Sequence, residues 1–595
     1  MAVSFIAIGA ISTWNAVPAA PPECLTDGAS HDLRGYVLRA EYGEASQRAI
    51  VEINRADGRD LHRFRISLTV SELTPTLLTG DIVDLQCPLQ LVPFGNEKDG
   101  VHELQPYELF FARGIGARGF CQGEKIKLIG RSKELRFIPA HISEKLISVI
   151  SHSNLNNGAQ SLLIATMLGR RDTLDRTVRA GFNSLGVAHV LCVSGYHVGL
   201  VAWLIIASFA PLRAFRKFGR WRNLISASMV WMYVVVCGAE PAAVRAGIMI
   251  SIYLFAAWIE DDAQPFNSLC VAIIIILICN PFRLFTGGFL LSVCAVCGIL
   301  LFAEKLNPFS RRRHRLHKIA GMFLIPICAI LGTLPVLLYM FHRFPLYFLP
   351  ANIVVALLFP LFLFLAFGAM ALWQLGFHAG WIAAPANFIA DGTTSACEVL
   401  MNINSSFDNL YISDAGIWLT AAGVLVFALA LRIQFRRMRL SLYLMAGLIT
   451  VLGLTMQPLP PRGATLYAWS ERGRAYAALR TGQEVKIFSE TGYSPGKASM
   501  EFMKRHGATT IISEMRQGMP KNIVSIRSRE KREIAELVFP ETRFALLSLG
   551  MEPEIRRKYR RALESRGIIC YELSPGTIAE LKVPSPKRRR RPSEK

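Results

Sequence analysis

Between residues 186 and 457 the chain runs through a series of apolar segments, and this series limits the fold more than any other feature. They fall at roughly 186–210, 223–238, 241–259, 266–280, 287–303, 319–340, 346–376, 411–431 and 441–457. Each is near the ~20 residues that an α-helix needs to cross hydrocarbon. In hydrocarbon the backbone polar groups must be satisfied inside the segment, so such runs are read as membrane helices. Composition agrees, because only 18% of the 595 residues are charged, against about 25% in soluble domains. A polytopic α-helical membrane protein is expected.

Loop charge orients the segments. The stretches Arg213–Arg222 (RAFRKFGRWR), Arg311–Lys318 (RRRHRLHK) and Arg432–Arg439 (RIQFRRMR) are densely basic, and basic links stay in the cytoplasm. Four segments separate the first two links, an even number as required. Three blocks separate the second and third, an odd number. The mismatch disappears if 346–376, too long for one ordinary span, is two passes or a re-entrant pair broken near Pro350 or Pro360. Both flanking regions then lie outside the cytoplasm. The net charge of +22 fits positive cytoplasmic loops and equally an anionic partner such as lipid or nucleic acid.

Residues 1–23 read as a hydrophobic anchor; the apolar run 2–17 has no basic start, which favours an anchor over a signal peptide. From 24 to 135 the texture changes. Leu33–Arg39, Ala49–Ile53, Arg63–Thr69 and Asp81–Gln86 are short, rich in branched residues and separated by Gly, Asp and Asn turns, the pattern of strands. An extracytoplasmic OB-like β domain is expected. Such barrels bind single-stranded nucleic acid through basic and aromatic side chains, and a purely structural β module fits the same pattern. Residues 136–458 form the membrane domain, opening with mixed-face helices over 141–184. At 459–580 strand-like runs alternate with helical ones, including Arg529–Val538, which predicts a small extracytoplasmic α/β domain. A basic tail, 581–595, ends the chain; it is either solvated or a holder of nucleic acid or anionic lipid.

Cys192, Cys237, Cys270, Cys279, Cys294, Cys297 and Cys328 lie in apolar runs, where a thiol behaves as a small hydrophobe. Cys294 and Cys297 have the spacing of a metal knuckle, yet no second pair or nearby His completes it. No metal is expected. Cys24, Cys87 and Cys121 lie outside those runs and allow one disulfide in an oxidising compartment, with Cys87–Cys121 the preferred pair. Gly492–Ala498 resembles a phosphate loop, but its glycines are one residue too close and Ala498 lacks the magnesium-binding hydroxyl. No cofactor and no intrinsic ATPase are expected.

The most informative stretch is Leu185–Leu200, LGVAHVLCVSGYHVGL. His189, Ser194 and His197 lie in a segment that should be embedded, where polar groups line a cavity, a polar path or a helix contact. Gly186, Gly195 and Gly199 permit close backbone approach or a helix break. A Ser–His nucleophile pair would need an orienting third group and an oxyanion site, and the local sequence supplies neither. No residue is assigned a catalytic role.

This stretch, with LGRRD (Leu168–Asp172), CGAEPAAVRAGIM (Cys237–Met249), GGFLLSVCAVCGILL (Gly287–Leu301) and LPVLLYMFHRFPLYFLPANIVVALLFP (Leu334–Pro360), resembles the ComEC competence family. The order of the motifs matches that family's membrane domain over about 155–455, and Pro93–Phe120 resembles the end of its outer barrel. The resemblance implies a channel in the cytoplasmic (inner) membrane that admits single-stranded DNA during natural transformation. It also implies a cytoplasmic motor and a periplasmic or surface DNA receptor; membrane lipid and a second copy of the chain are further partners considered. Carried over, the translocation path comprises His189, Ser194, Gly195, His197 and Arg245, with Glu240 and Asn352 as weaker candidates. Arg245 either neutralises a passing phosphate or pairs with Glu240. Asn352 otherwise makes a helix–helix hydrogen bond. The chain departs from the family at Arg170, where an acidic residue is usual. Many members also end in a metallo-β-lactamase-like domain. Residues 458–595 hold one histidine, His506, and no HxHxDH run, so a di-metal nuclease is not expected. The alternative of a different class is a membrane enzyme acting on a lipid or glycan precursor, with His189 or His197 as base.

Overall fold

The computed structural model describes residues 22–582 except 23, 26–29, 44–45, 73, 92–100, 104–106, 210–217, 259–263, 308–313, 378–379, 402–405, 408–409, 459–463, 472–473, 482, 490–494, 507, 509, 514–522, 527–543, 549–552 and 574–576. The expected anchor over 2–17, the helix over Arg529–Val538 and the basic tail beyond 582 fall outside the described residues, as do parts of the basic link at 213–222 and of the loop-like Gly492–Ala498.

Strands β1 (Ser30–Tyr42), β2 (Gln47–Ala56), β3 (Arg59–Val70) and β4 (Asp81–Leu91) form where the branched segments predict them. Alternate residues point inward, so Val37, Val51, Ile53, Ile66, Leu68, Val83 and Leu85 fill one buried core, as period-two burial requires. β5 (Val101–Glu103) and helix α1 (Tyr107–Phe111) lead to β6 (Ala117–Cys121) and β7 (Ile126–Arg131). β1 pairs with β2 and also with β4, while β6 joins β3 in parallel and β4 antiparallel. The ring β1-β2-β3-β6-β4-β1 is therefore barrel-like, with β7 added outside β4.

Cys87 and Cys121 are both buried in this barrel, with free thiols. The β4–β6 register, Leu89↔Gly119 and Leu91↔Ala117, carried two residues further sets them opposite one another. Burial, and secondarily the neighbouring Cys121, pushes the Cys87 thiol up to about 12.

Helices α2 (Ile138–Ser151), α3 (Asn157–Leu168) and α4 (Arg176–Ser184) precede the apolar bundle. The bundle contains α5 (Gly195–Ser208), α6 (Phe218–Val236), α7 (Pro241–Trp258), α8 (Pro265–Cys279), α9 (Gly287–Leu306), α10 (His314–Phe341), α11 (Phe348–Gln374), α12 (Gly380–Met401), α13 (Asp414–Ala430) and α14 (Arg436–Thr455). Among the described residues, four stretches are long and apolar enough to cross a membrane: Gly287–Leu306, Ala320–Phe341, Phe348–Gln374 and Arg436–Thr455. Gly195–Ser208, Pro241–Ala256, Pro265–Cys279 and Asp414–Ala430 are shorter apolar helices. The short block at 186–210 is shorter still as helix, because its first residues make a 3-10 turn, Ala188–Leu191, and an extended link to Ser194.

The long block at 346–376 needs correction. It is one continuous helix, α11, with Pro360 inside it and no break at Pro350. It is followed by α12, which packs along α11 and returns the chain to the end where α11 began. β8 (Phe344–Pro345), before α11, pairs with β9 (Ser406–Phe407), after α12, and Leu410 N donates to His342 O at 2.8 Å. Elsewhere, α9 and α10 touch through Gly298 and Gly332. A Cβ on Gly298 would lie 3.0 Å from the Gly332 Cα, the close approach that small residues permit between membrane helices.

Beyond α14, strands β10 (Ala464–Glu471), β11 (Arg474–Thr481), β12 (Glu484–Ser489), β13 (Thr510–Ser513), β14 (Ile523–Ile526), β15 (Phe544–Ser548), β16 (Ile569–Leu573) and β17 (Thr577–Lys582) alternate with α15 (Lys497–Arg505) and α16 (Pro553–Glu564). One sheet has the order β13-β12-β11-β10-β17-β5, so the short strand between β4 and β6 of the barrel completes the C-terminal sheet. β14, β15 and β16 make a separate parallel sheet. Arg505 Nε donates to His342 Nε2 at 2.8 Å, and Lys504 sits over the Tyr411 ring. The C-terminal region therefore rests on the same end of the bundle as β8 and β9.

Candidate functional site

The polar stretch before α5 is shaped by a turn that only glycine accommodates. Gly186 has φ +72°, and a Cβ there would lie 2.7 Å from Pro345 Cγ. The chain then runs extended into Ser194, which caps α5. The Ser194 hydroxyl accepts from His197 N at 3.4 Å, and Ser194 N donates to His197 Nδ1 at 3.2 Å. This is a capping box with His in the place of the usual Glu or Gln. Nδ1 also lies 3.0 Å from Cys192 O. Ser194 thus caps the helix, and its hydroxyl also stands 3.1 Å from His197 Nδ1. The His197 ring is 1% exposed and packs against Phe359 of α11, with centroids 5.5 Å apart. His189 lies within electrostatic reach of His197 and is itself exposed.

Arg245, one turn into α7, meets the start of α5. It is 6% exposed, and its Nη2 would be 3.5 Å from a Cβ built on Gly195. Its Nε and Nη1 have no hydrogen-bond partner. Glu240, the ion-pair partner considered from sequence, is held elsewhere: its Oε1 accepts from Arg39 Nη2 of β1 at 2.8 Å. Asn352 turns its amide back onto Phe348 O of its own helix, at 2.6 Å, and so makes no cross-helix bond through that group. The structure therefore gathers His189, Ser194, Gly195, His197 and Arg245 around one helix start. It leaves Asn352 on α11 and turns Glu240 toward the barrel.

The barrel docks beside this cluster. Burial opposes the charge of Arg39, but the Glu240 and Glu41 carboxylates outweigh it and hold the guanidinium above its ordinary value. Arg170 stacks over Tyr42 of β1, 5.6 Å from the ring centroid, and makes a forked contact with Asp172 at 3.1–3.2 Å. Asn280 Nδ2 donates to Ala112 O at 3.1 Å, and Phe282 meets Phe111 edge-on. Arg39, Tyr42 and Asn280 carried no signal in the sequence, because each acts through a partner more than a hundred residues away. Among the described residues no group of three or more His, Cys, Asp or Glu is arranged to hold a metal ion.

Comparisons with known proteins converge on the bundle. Residues 166–437 match the family model described as Competence protein. A segment of 220 residues, 36% of this chain, is 27% identical to "ComE operon protein 3" of Bacillus subtilis and covers 27% of that relative. Another of 321 residues, 48% of this chain, is 25% identical to "Recombination protein 2" of Haemophilus influenzae and covers 39% of it. The matched part thus spans well under half the length of either relative. No solved structure matches the chain.

Proposed function

Through residues 166–437 this chain belongs to the competence protein family, and from that premise we propose that it conducts single-stranded DNA across the cytoplasmic membrane during natural transformation. One observation carries the reading. The barrel is fastened by Arg39–Glu240 at the end of the bundle where the Ser194–His197 turn and the unpartnered Arg245 lie. A strand leaving the barrel would meet a buried cation first, and every phosphate in transit has to be neutralised or hydrated.

The closed strand order, with β3 and β6 parallel, supports an OB-like barrel over 24–135. In this reading 136–458 is the channel domain and 459–580 a small α/β domain. Both soluble regions face the outside, because the basic stretches Arg213–Arg222, Arg311–Lys318 and Arg432–Arg439 belong in the cytoplasm. Cys87–Cys121 closes as a disulfide there. His189, His197 and Arg245 line the path. A cytoplasmic motor supplies the pulling force and an outer DNA receptor delivers the strand, with membrane lipid and a second copy of the chain as further candidate partners. The enzyme alternative has less support, since the Ser194–His197 contact is itself part of a helix cap.

The test is uptake of labelled duplex DNA into a nuclease-resistant cytoplasmic pool, in wild-type cells, a deletion strain and His197→Ala. Loss of internalised DNA in the deletion strain, with surface binding intact, is expected. Unchanged internalisation there, in a genome without a second copy, would overturn the proposal.

A further inference from the structure

We propose that the start of α5 and Arg245 together form a binding site for one phosphodiester monoanion, supplied by the transiting strand. The assignment of the source rests on the DNA-conducting reading above; the anion site itself rests on geometry. The first amides of a helix have no carbonyl of their own helix to bond. In α5 the His197 amide is taken by Ser194 Oγ, and the Val198 amide by Ser194 O. The Gly195 and Tyr196 amides stay at the positive end of a 14-residue helix, the place where anions bind. Gly195 has no side chain to cover them.

Arg245 supplies the independent observation. It is 6% exposed, two of its nitrogens have no partner, and the group reaches alongside Gly195. The carboxylate close to it in sequence, Glu240, is engaged by Arg39. The neighbour that acts on it electrostatically is the Cys297 thiol of α9, which is no counter-ion. A buried charge left without a partner is strongly destabilising, so an arginine in this position calls for an anion. The guanidinium fork matches two phosphate oxygens. One full positive charge plus roughly half a charge from the helix end is enough to neutralise the single negative charge of a diester.

The experiment uses the full chain in nanodiscs of neutral phosphatidylcholine. Binding of a fluorescent single-stranded thymidine oligonucleotide is measured against salt concentration. Arg245→Gln should weaken binding about tenfold, as expected for a lost charge-assisted contact, and flatten the log–log salt slope by about 0.7, the value for one single-strand phosphate. Arg245→Lys should keep most of the slope. Dimethyl phosphate should raise the unfolding temperature of the wild type and leave that of Arg245→Gln unmoved, which reads the site without DNA. Equal slopes in wild type and Arg245→Gln, with no response to dimethyl phosphate, overturn the site while leaving the channel reading to the uptake assay. If phosphatidylglycerol in the disc reproduces the stabilisation and Arg245→Gln leaves oligonucleotide binding unchanged, the phosphate belongs to lipid and the strand is overturned as its source.

Discussion

Closing Cys87 to Cys121 should stabilise the barrel by a calculable amount. The two residues face one another across β4 and β6 when the Leu89↔Gly119 register is continued, and Cα atoms of directly opposed residues lie about 4.5–5.5 Å apart, inside the range a disulfide spans. The bond would close a loop of about 34 residues, which removes unfolded-state entropy worth about 4 kcal/mol in the chain-entropy treatment. Gly119 leaves the room for it, since a Cβ there would stand 3.0 Å from Cys87 Sγ. With the Cys87 thiol pushed up to about 12 by burial and by Cys121, its thiolate is scarce at neutral pH, so the bond should form during folding, before the barrel closes over it.

The assay has two arms. Chain isolated from cells is denatured and labelled with a maleimide polymer before and after reduction. Two additional thiols should appear on reduction in the wild type and in Cys24→Ala, and none in the Cys87→Ala, Cys121→Ala double variant. Thermal unfolding of the barrel should then fall on adding reductant in the wild type and stay unchanged in the double variant. Full labelling of both thiols without reductant, in chain exported to an oxidising compartment, would refute the pairing. An unfolding curve indifferent to reductant would refute the magnitude.

Three further outcomes follow from contacts at the same end of the bundle and between its helices. His342 is pushed down to about 4, first by burial and then by the Arg505 guanidinium, against the pull of Leu338 O; as a neutral acceptor it holds Arg505 Nε. A histidine depressed in the docked state keeps its contribution above the ordinary value of about 6.5 and loses it as pH falls from there toward 4, so protease should release the C-terminal region faster at pH 5 than at pH 7.5. Equal rates would refute the contact. Glu240→Gln removes one charge of a partly exposed pair and should weaken barrel docking by about 1 kcal/mol, read as faster hydrogen exchange in β1; unaltered exchange would mean that Arg170 and Asn280 hold the barrel unaided. Gly332→Leu forces a side chain against the Cys294 carbonyl and should cost about 2 kcal/mol or more, measured as a lowered unfolding temperature in detergent, and a variant as stable as wild type would show that α9 and α10 can part freely.

What the sequence disclosed depended on whether a signal was local. β1 to β4 are legible because one face of each is buried and the residues alternate. β6 (ARGFC) and β7 (IKLIGR) are short and carry glycine and charge, so only their pairing with β3 and β4 makes them strands. β11 (RAYAALRT) is rich in alanine, a helix former, and is held extended by β10 and β12 on either side, where tertiary pairing overrides propensity. The cluster of His189, Ser194 and His197 stands out because polar residues interrupt an apolar run. Arg39 does not, since nothing near it in sequence points to Glu240.

The helix α12 was not among the apolar blocks of the sequence, and its composition says why. α12 carries Asn387, Asp391, Thr393 and Thr394 in its middle, which lowers its apolar score. Each of those groups has a partner inside the protein. Asn387 Oδ1 accepts from Asn156 N at 3.0 Å, and Asp391 Oδ2 from Asn156 Nδ2 at 2.8 Å, at the cap of α3. Thr393 and Thr394 return their hydroxyls to carbonyls of their own helix. A polar group is costly in hydrocarbon only when its hydrogen bonds go unmade, and hydropathy sums residue types without regard to partners. Loop charge does not depend on those partners, and a further helix such as α12 between the two basic links would make their count of blocks even. The same reasoning separates the polar residues of the bundle from one another: Asn352, Thr393 and Ser194 have their bonds within the fold, while Arg245 does not, and a residue that folding leaves unsatisfied is the one to examine for a ligand.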